Sequence, residues 1–273
     1  GRICMVSTPE GKRCGLVGQR ALGARVSRDR KSSLSAILGC VSHLMVSCSG
    51  REGALQAIKS TAVWASGVFV GLTDQAVALT RAVRSARRDG QIPRDVGISL
   101  HGDGTEVVWV EIRVHAGRLL RPLTPLDKHR PPMPVGTTWS RYISEGYIEM
   151  LDAREEMTAF VAQMATVATE RHTHREVFHA ASLGCVPSCI PFLDHEPVPR
   201  ASYFTNQAQQ TIGHDPRNFA NRMTDAKSFQ MWYPQRSLVN TSFEESSKAD
   251  YSAPQGQNVC IAILSLQGCE EDA

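Results

Sequence analysis

No apolar run in this chain is longer than a β-strand. The most apolar stretches, VFVGL at 68–72 and NVCIAILSL at 258–266, are strand-sized, whereas a membrane-spanning helix needs about eighteen apolar residues. The interior therefore has to be assembled from short elements that cooperate, and no membrane span is expected. With 273 residues, 42% hydrophobic and 21% charged, the chain has the balance of an ordinary globular protein and is long enough to bury a sizeable core. Arg2, Lys12 and Arg13 sit among turn residues with no apolar block behind them, so the start does not read as a signal peptide. An intracellular setting, with reduced thiols for the eight cysteines, is the expectation. Beginning at Gly1 and ending on Glu270-Glu271-Asp272-Ala273 after a strand-like run, the sequence reads as an excerpt of something longer.

Prolines punctuate the chain. Five of them fall between 122 and 136, among charges, and mark a boundary. Before it, STPEGKRCGLV (7–17) is turn chemistry with an apolar exit, and 27–61 is Ser-, Gly- and charge-rich with weak periodicity, which reads as loop or poorly ordered structure. VWASGVFVGL (63–72) reads as a hairpin turning at Ser66-Gly67. Thr73-Asp74 can cap a following helix, in which Ala76, Leu79, Ala82, Val83 and Ala86 recur at helical spacing and Gly90 is the stop. Strands are expected at DVGISL (95–100) and EVVWVEIRV (106–114), turning at Gly102-Asp103-Gly104, with HAGRLLRPL closing that unit.

Beyond the prolines, YISEGYIEMLDAREEM reads as a short helix, a glycine break and a strand running into the acidic cluster Asp152, Glu155 and Glu156. Nothing nearby supplies those carboxylates with a partner for acid-base work, so they read as a solvated face. The arginines Arg81, Arg84, Arg87 and Arg88 read the same way. FEESSKADYSAPQGQ (243–257) is linker by composition, and NVCIAILSL reads as a buried strand. Cys185 and Cys189 lie near His174, His179 and His195, but there is no tight Cys-x2-Cys pair and Pro187 separates the thiols. Zinc is not expected, and the cysteines read as small buried hydrophobes.

A net charge of +3 is too weak to mark a nucleic-acid binder. Arginine greatly outnumbers lysine, which suits either phosphate contacts or a GC-rich coding sequence.

The ordered series GRIC…STPEG…CGLV, GVFVG, AGRLLRPL, EGYIEMLDAREE, THREVFHAASLGCVPSCIPFLDHEPVPRASY, YPQRSLV and PQGQNVCIAI resembles the second-largest, β-like subunit of multisubunit DNA-directed RNA polymerases. The likeness is to the archaeal, eukaryotic and large-virus type and spans nearly the whole chain except 27–61. It implies an α+β, multi-module fold: 1–50 as the end of the fork region, 51–125 as an external module and 126–136 as the proline-rich boundary. On the same reading, 137–185 is the second part of the external module and 186–273 the start of the hybrid-binding domain.

The resemblance also implies roles. Arg200, in the Pro-Arg-x-x-Tyr element, reaches toward the incoming nucleotide's phosphates. Gln210, with Gln209 and Arg222, faces nucleic acid, and Glu271 and Asp272 match the acidic pair near the second catalytic Mg²⁺. The primary metal belongs to three aspartates of the largest subunit. Partners are thus the largest and other polymerase subunits, DNA template, RNA transcript and NTPs. The setting would be the nucleus for a eukaryotic chain, or a viral factory in host cytoplasm for a viral one.

Two-metal nucleotidyl transfer asks the protein mainly for positioning and charge neutralisation. PFLDHEPVPRASY (191–203) then reads as an apolar anchor, a proline-stiffened arm and a phosphate-binding fork, and the bland alternative pairs Arg200 with Asp194 or Glu196. The chain departs from the family at Gly268-Cys269-Glu270-Glu271-Asp272, one residue shorter and without the usual Tyr and Asn, and at Gln209, where a Lys is common. A non-catalytic paralogue serving as a scaffold or nucleic-acid-binding module is the alternative reading.

Overall fold

A computed structural model describes residues 1–46, 60–102, 107–126, 134–163, 168–212, 231–246 and 256–263. The described chain forms two compact units: Gly1–Cys4 with Arg20–Ser182, and Met5–Gln19 with Leu183–Ala273. Helices and mixed sheets occur together, the α+β content expected of the sequence.

The first unit holds two sheets. In the four-stranded sheet the order is β3-β2-β5-β4, from β2 (Thr61–Ala65), β3 (Val68–Thr73), β4 (Gly97–Gly102) and β5 (Val107–Arg113). The β2–β3 hairpin turns at Ser66 and Gly67, both with positive φ, as its sequence requires. β2 pairs parallel with β5, and β5 antiparallel with β4. Of the turn placed at Gly102-Asp103-Gly104, residues 103 and 104 lie outside the described residues.

Alternation puts Val63, Ala65, Ile98, Val110 and Ile112 on one face, all essentially inaccessible to solvent. That face is covered by two helices, α1 (Leu34–Val41) and α2 (Ala76–Arg88). α2 ends where expected, with Gly90 at φ 77°. Its start differs, since Gln75 is the N-cap without a side-chain bond and Thr73 accepts from the Gln75 N–H instead. α1 corrects the loop reading of 27–61 where it stands, while 47–59 lie outside the described residues. Ile37 and Val41 are completely buried in the core, and the short period of that helix is masked by Ser33, Ser35 and Gly39.

The second sheet runs β1-β6-β9-β8, with β7 also paired to β6. Its strands are β1 (Arg25–Val26), β6 (Leu119–Pro125), β7 (Glu149–Leu151), β8 (Val161–Ala162) and β9 (His174–Glu176). Pro122 and Pro125 therefore lie inside a strand and not between elements. β6 tolerates them because its pairing is divided among three short partners, none of which runs its full length. Helix α3 (Trp139–Ser144) breaks at Gly146, φ 73°, and β7 leads into the one-turn helix α4 (Ala153–Glu156).

That last segment overturns the solvated-face readings. Glu149, Asp152 and Glu155 are each less than 5% exposed, and so is Arg87. Arg87 donates to Glu155 at 2.8 Å through two nitrogens, to Glu149 at 2.9 Å and to the Val96 carbonyl at 2.8 Å. Arg84 reaches Glu155 at 3.2 Å, and Arg88 pairs with Glu149. Asp152 accepts two bonds from Arg113, at 2.7 and 2.8 Å, and one from Arg118 at 2.7 Å. It also caps α4 by accepting from the Glu155 N–H. Of the α2 arginines only Arg81 faces solvent.

The signal was present in the spacing. Arg87 continues the Ala76-Thr80-Val83 stripe that faces the core, so burial was dictated by its position and the carboxylates by its charge. At Gly97 a Cβ would stand 2.3 Å from Asp152 Oδ2, so this β4 position admits only glycine against the ion cluster.

Burial alone would push Glu149 up, but Arg87, the His174 hydrogen bond and Arg88 outweigh it and hold the carboxyl well below the usual range. At Asp152 desolvation likewise loses to the bonds from Arg113 and Arg118 and to the Glu155 N–H. Depressed carboxylates contribute stability that is complete above about pH 5 and is lost as pH falls below their unfolded values toward the folded ones. Chemical denaturation midpoints are therefore expected to be level from about pH 5 to 7 and to drop steeply below about pH 4. Arg87→Ala leaves buried Glu155 with Arg84 and Glu149 with Arg88 and His174 in place of their main partner, and is expected to cost about 3–5 kcal/mol, measured by urea unfolding at pH 7.

Candidate functional site

The second unit is organised around helix α6 (Val198–Gln210). Its approach is built by α5 (Cys185–Ser188), by Phe192 in the left-handed region at φ 55°, and by a 3-10 turn at Leu193–His195. A bulky residue at positive φ is an uncommon conformation, and it lies five residues before Pro197, which takes the N-cap position without a side-chain bond. Phe192 is 65% exposed and meets the His195 ring edge-on, so it serves as a corner and not as the apolar anchor expected from sequence.

Arg200 sits in the first turn of α6, directly after Pro199, and is solvent-exposed. The proline-stiffened arm is thus a helix start, with prolines where no N–H is needed. The guanidinium lies 5.4 Å from the Tyr203 ring centre. Neither Asp194 nor Glu196 pairs with it; Asp194 instead approaches His195 at 3.8 Å. Among the described residues Arg200 has no carboxylate partner, at a helix end whose dipole disfavours a cation.

Gln209 and Gln210 occupy the far end of the same helix, roughly 14–15 Å along its axis by a rise of 1.5 Å per residue. Gln209 is turned to the N-terminal segment and donates to Ser7 Oγ at 3.1 Å, while Asn206 donates to the Thr8 carbonyl at 3.0 Å. Thr8 Oγ1 in turn accepts from Gly15 N–H at 2.8 Å. The STPEG turn is therefore clamped onto α6, and Gln209 has a structural duty that its sequence context did not reveal.

Gln210 is exposed. By helical spacing it shares a stripe with Arg200, Tyr203 and Gln207, of which Gln207 has no part in the sequence motifs. The opposite face carries Ala201 and Thr205, both buried.

YPQRSLV and PQGQNVC also meet. The Gln235 N–H donates to the Gly256 carbonyl at 2.8 Å, and Asn258 bonds the Gln235 side chain and the Arg236 carbonyl. NVCIAILSL is not a buried strand over its described part. Val259, Ile261 and Ile263 are 70%, 79% and 95% exposed, because no strand pairs with this segment among the described residues. The stretch FEESSKADYSAPQGQ begins inside a short helix, α7 (Ser242–Ser246), and its residues 247–255 lie outside the described residues.

Arg222, Glu271 and Asp272 lie outside the described residues as well. Among those that are described, no three His, Cys, Asp or Glu side chains gather as metal ligands, and the buried carboxylates of the first unit are taken up by arginines. His174 bonds Glu149. Cys189 donates to the Cys185 carbonyl at 3.4 Å, and burial, with Cys185 and Glu244 nearby, pushes its thiol up to about 12. No described helix is long and apolar enough to cross a membrane.

Three family models match in chain order: RNA polymerase Rpb2 domain 3 over residues 1–26, domain 4 over 63–127 and domain 6 over 186–273. Among curated relatives, the DNA-directed RNA polymerase subunit Rpo2 of Sulfolobus acidocaldarius is 31% identical over 98% of this chain and 25% of its own length. The DNA-directed RNA polymerase II subunit RPB2 of Encephalitozoon cuniculi is 29% identical over 100% of this chain and 25% of its own. The DNA-directed RNA polymerase III subunit 2 of Arabidopsis thaliana is 31% identical over 100% and 25%. This chain thus spans about a quarter of the length of the relatives it matches. Ordered matches to three domains of one subunit, with the α+β architecture above, define the class, and the chain belongs to the family of second-largest RNA polymerase subunits.

The raised Cys189 thiol gives a simple test of the second unit's packing. At pH 8 iodoacetamide is expected to label exposed Cys14 well before Cys189, since the reactive thiolate is scarce at the latter. Peptide mass spectrometry over a labelling time course measures the order.

Proposed function

We propose that the chain works as part of a DNA-directed RNA polymerase, and that the exposed stripe of α6 meets the incoming nucleotide and nucleic acid. The observation that carries this reading is Arg200, a cation in the first turn of a helix, without a carboxylate partner although Asp194 and Glu196 lie within six residues. Such a group gains most from an anion supplied in trans, and a guanidinium fork suits a triphosphate.

In this reading Arg200 positions the phosphates, Tyr203 holds the guanidinium plane, and Gln210 with Arg222 lies along nucleic acid. Gln209 instead fixes the turn at Ser7. Glu271 and Asp272 are the residues that would hold the second Mg²⁺, which when bound neutralises charge on the transferred phosphate. The largest subunit would supply the primary metal's ligands, so this chain alone is silent in catalysis. DNA template, RNA transcript and NTPs are the substrates and partners of the assembly. A eukaryotic chain would act in the nucleus and a viral one in a viral factory.

Arg200→Ala in the assembled enzyme is expected to raise the NTP concentration for half-maximal elongation by about 10-fold or more, the scale of a lost charge-assisted bond. Template retention should change little. An effect limited to template release, with strong salt dependence, would make Arg200 a backbone contact and overturn the assignment. Replacing Glu271 and Asp272 together with Ala is expected to slow elongation mainly at limiting NTP. Unchanged elongation under those conditions would remove their role and favour the scaffold reading.

A further inference from the structure

The first unit contains an open cleft of about 1220 Å³ that the polymerase reading does not use. Five arginines line it, Arg20, Arg25, Arg28, Arg30 and Arg94, against two aspartates, Asp89 and Asp95. Some of this charge is already committed. Arg30 pairs with Asp95 at 2.8 Å, and Arg94 donates to the Arg87, Arg88 and Ser144 carbonyls. Asp95 is further occupied by the Arg28 backbone N–H at 3.0 Å. The side chains of Arg20, Arg25 and Arg28 are exposed, and no described residue forms an ion pair with them.

The lining is not uniformly charged. Leu120, Ile143 and Met150 contribute the buried aliphatic cluster behind β6 and β7, and Val26 on β1 is 52% exposed. The cleft therefore offers three uncommitted guanidinium forks around an aliphatic floor. Among its described lining residues there is no aromatic ring for a base to stack on, the feature that sequence-tolerant single-strand sites use. A carboxylate-rich segment with an aliphatic side chain between its charges matches both halves of the lining, since bidentate Arg–carboxylate pairing needs the forks and the aliphatic group needs the floor.

We propose that this cleft binds an acidic linear peptide of a partner protein, with Arg20, Arg25 and Arg28 holding its carboxylates and an aliphatic anchor seated toward Ile143 and Met150. Arg30 is not part of the recognition set, because Asp95 already holds it.

The test uses the chain at full natural length in its assembly, with a fluorescein-labelled twelve-residue peptide of alternating Asp-Glu pairs and leucines as probe. Anisotropy is expected to report saturable binding that weakens with salt, and Arg25→Glu with Arg28→Glu should weaken it by at least about tenfold. Arg81→Glu, exposed on α2 and outside the cleft, should leave it unchanged. Because Arg25 and Arg28 are exposed, an unchanged melting temperature separates lost binding from lost folding. A photoreactive leucine in the peptide is expected to label the tryptic fragments carrying Ile143 or Met150. Equal affinity of wild type and double variant, or labelling elsewhere, overturns the proposal. Stronger binding of a twelve-nucleotide oligo-dT than of the peptide, lost in the same variant, also overturns it and makes the cleft a phosphate site.

Discussion

A single guanidinium organises the larger unit. Arg87 stands where α2 should present an aliphatic side chain to the core, and its charge is matched by Glu149 and Glu155 from a strand and a one-turn helix more than sixty residues away. Removing a charge that deeply from water costs several kcal/mol unless every neighbour is placed to compensate. The placement of β7 and α4 is accordingly specified by direction as well as by burial. Arg113 and Arg118 repeat the device at Asp152, so the acidic segment 149–155 is held from α2, from β5 and from the loop before β6. Hydrophobic packing alone would tolerate small slides between these parts, whereas the paired geometry of forks and carboxylates does not.

That constraint explains which features could be read from residues alone. The β2–β3 hairpin, α2 with its glycine stop, and the α3, glycine, β7 sequence each rest on local chemistry, namely turn residues and hydrophobic period. α1 was hidden because its serines and glycine dilute the period, although Ile37 and Val41 are fully buried and Leu34 and Cys40 pack beside them. The charged clusters were misread for a different reason. Arg87 and Glu155 look like surface residues until each is given the other, and a pairing across 68 positions has no local signature. Pro122 and Pro125 misled in the opposite direction, since a proline inside a strand is intelligible only once its short partners are known.

The candidate site divides along the same line. The motif around Arg200 was legible, yet its local form was not: Pro197 and Pro199 start a helix where stiffness alone suggested an extended arm. Gln209 and Gln210 are adjacent in sequence and both exposed, yet they part company on the helix, since Gln209 is the one turned to bond Ser7. A 100° step per residue separates them, and this separation gives two similar residues different surroundings.

The clamp between the STPEG turn and α6 has a consequence for how the chain is made. Thr8 and Asn206 are 198 positions apart. At the usual 5–20 residues per second, the amino-terminal turn leaves the ribosome roughly 10 to 40 s before its partner helix exists. Throughout that interval the ion-paired unit is synthesised, so α6 has to find a segment made nearly two hundred residues before it.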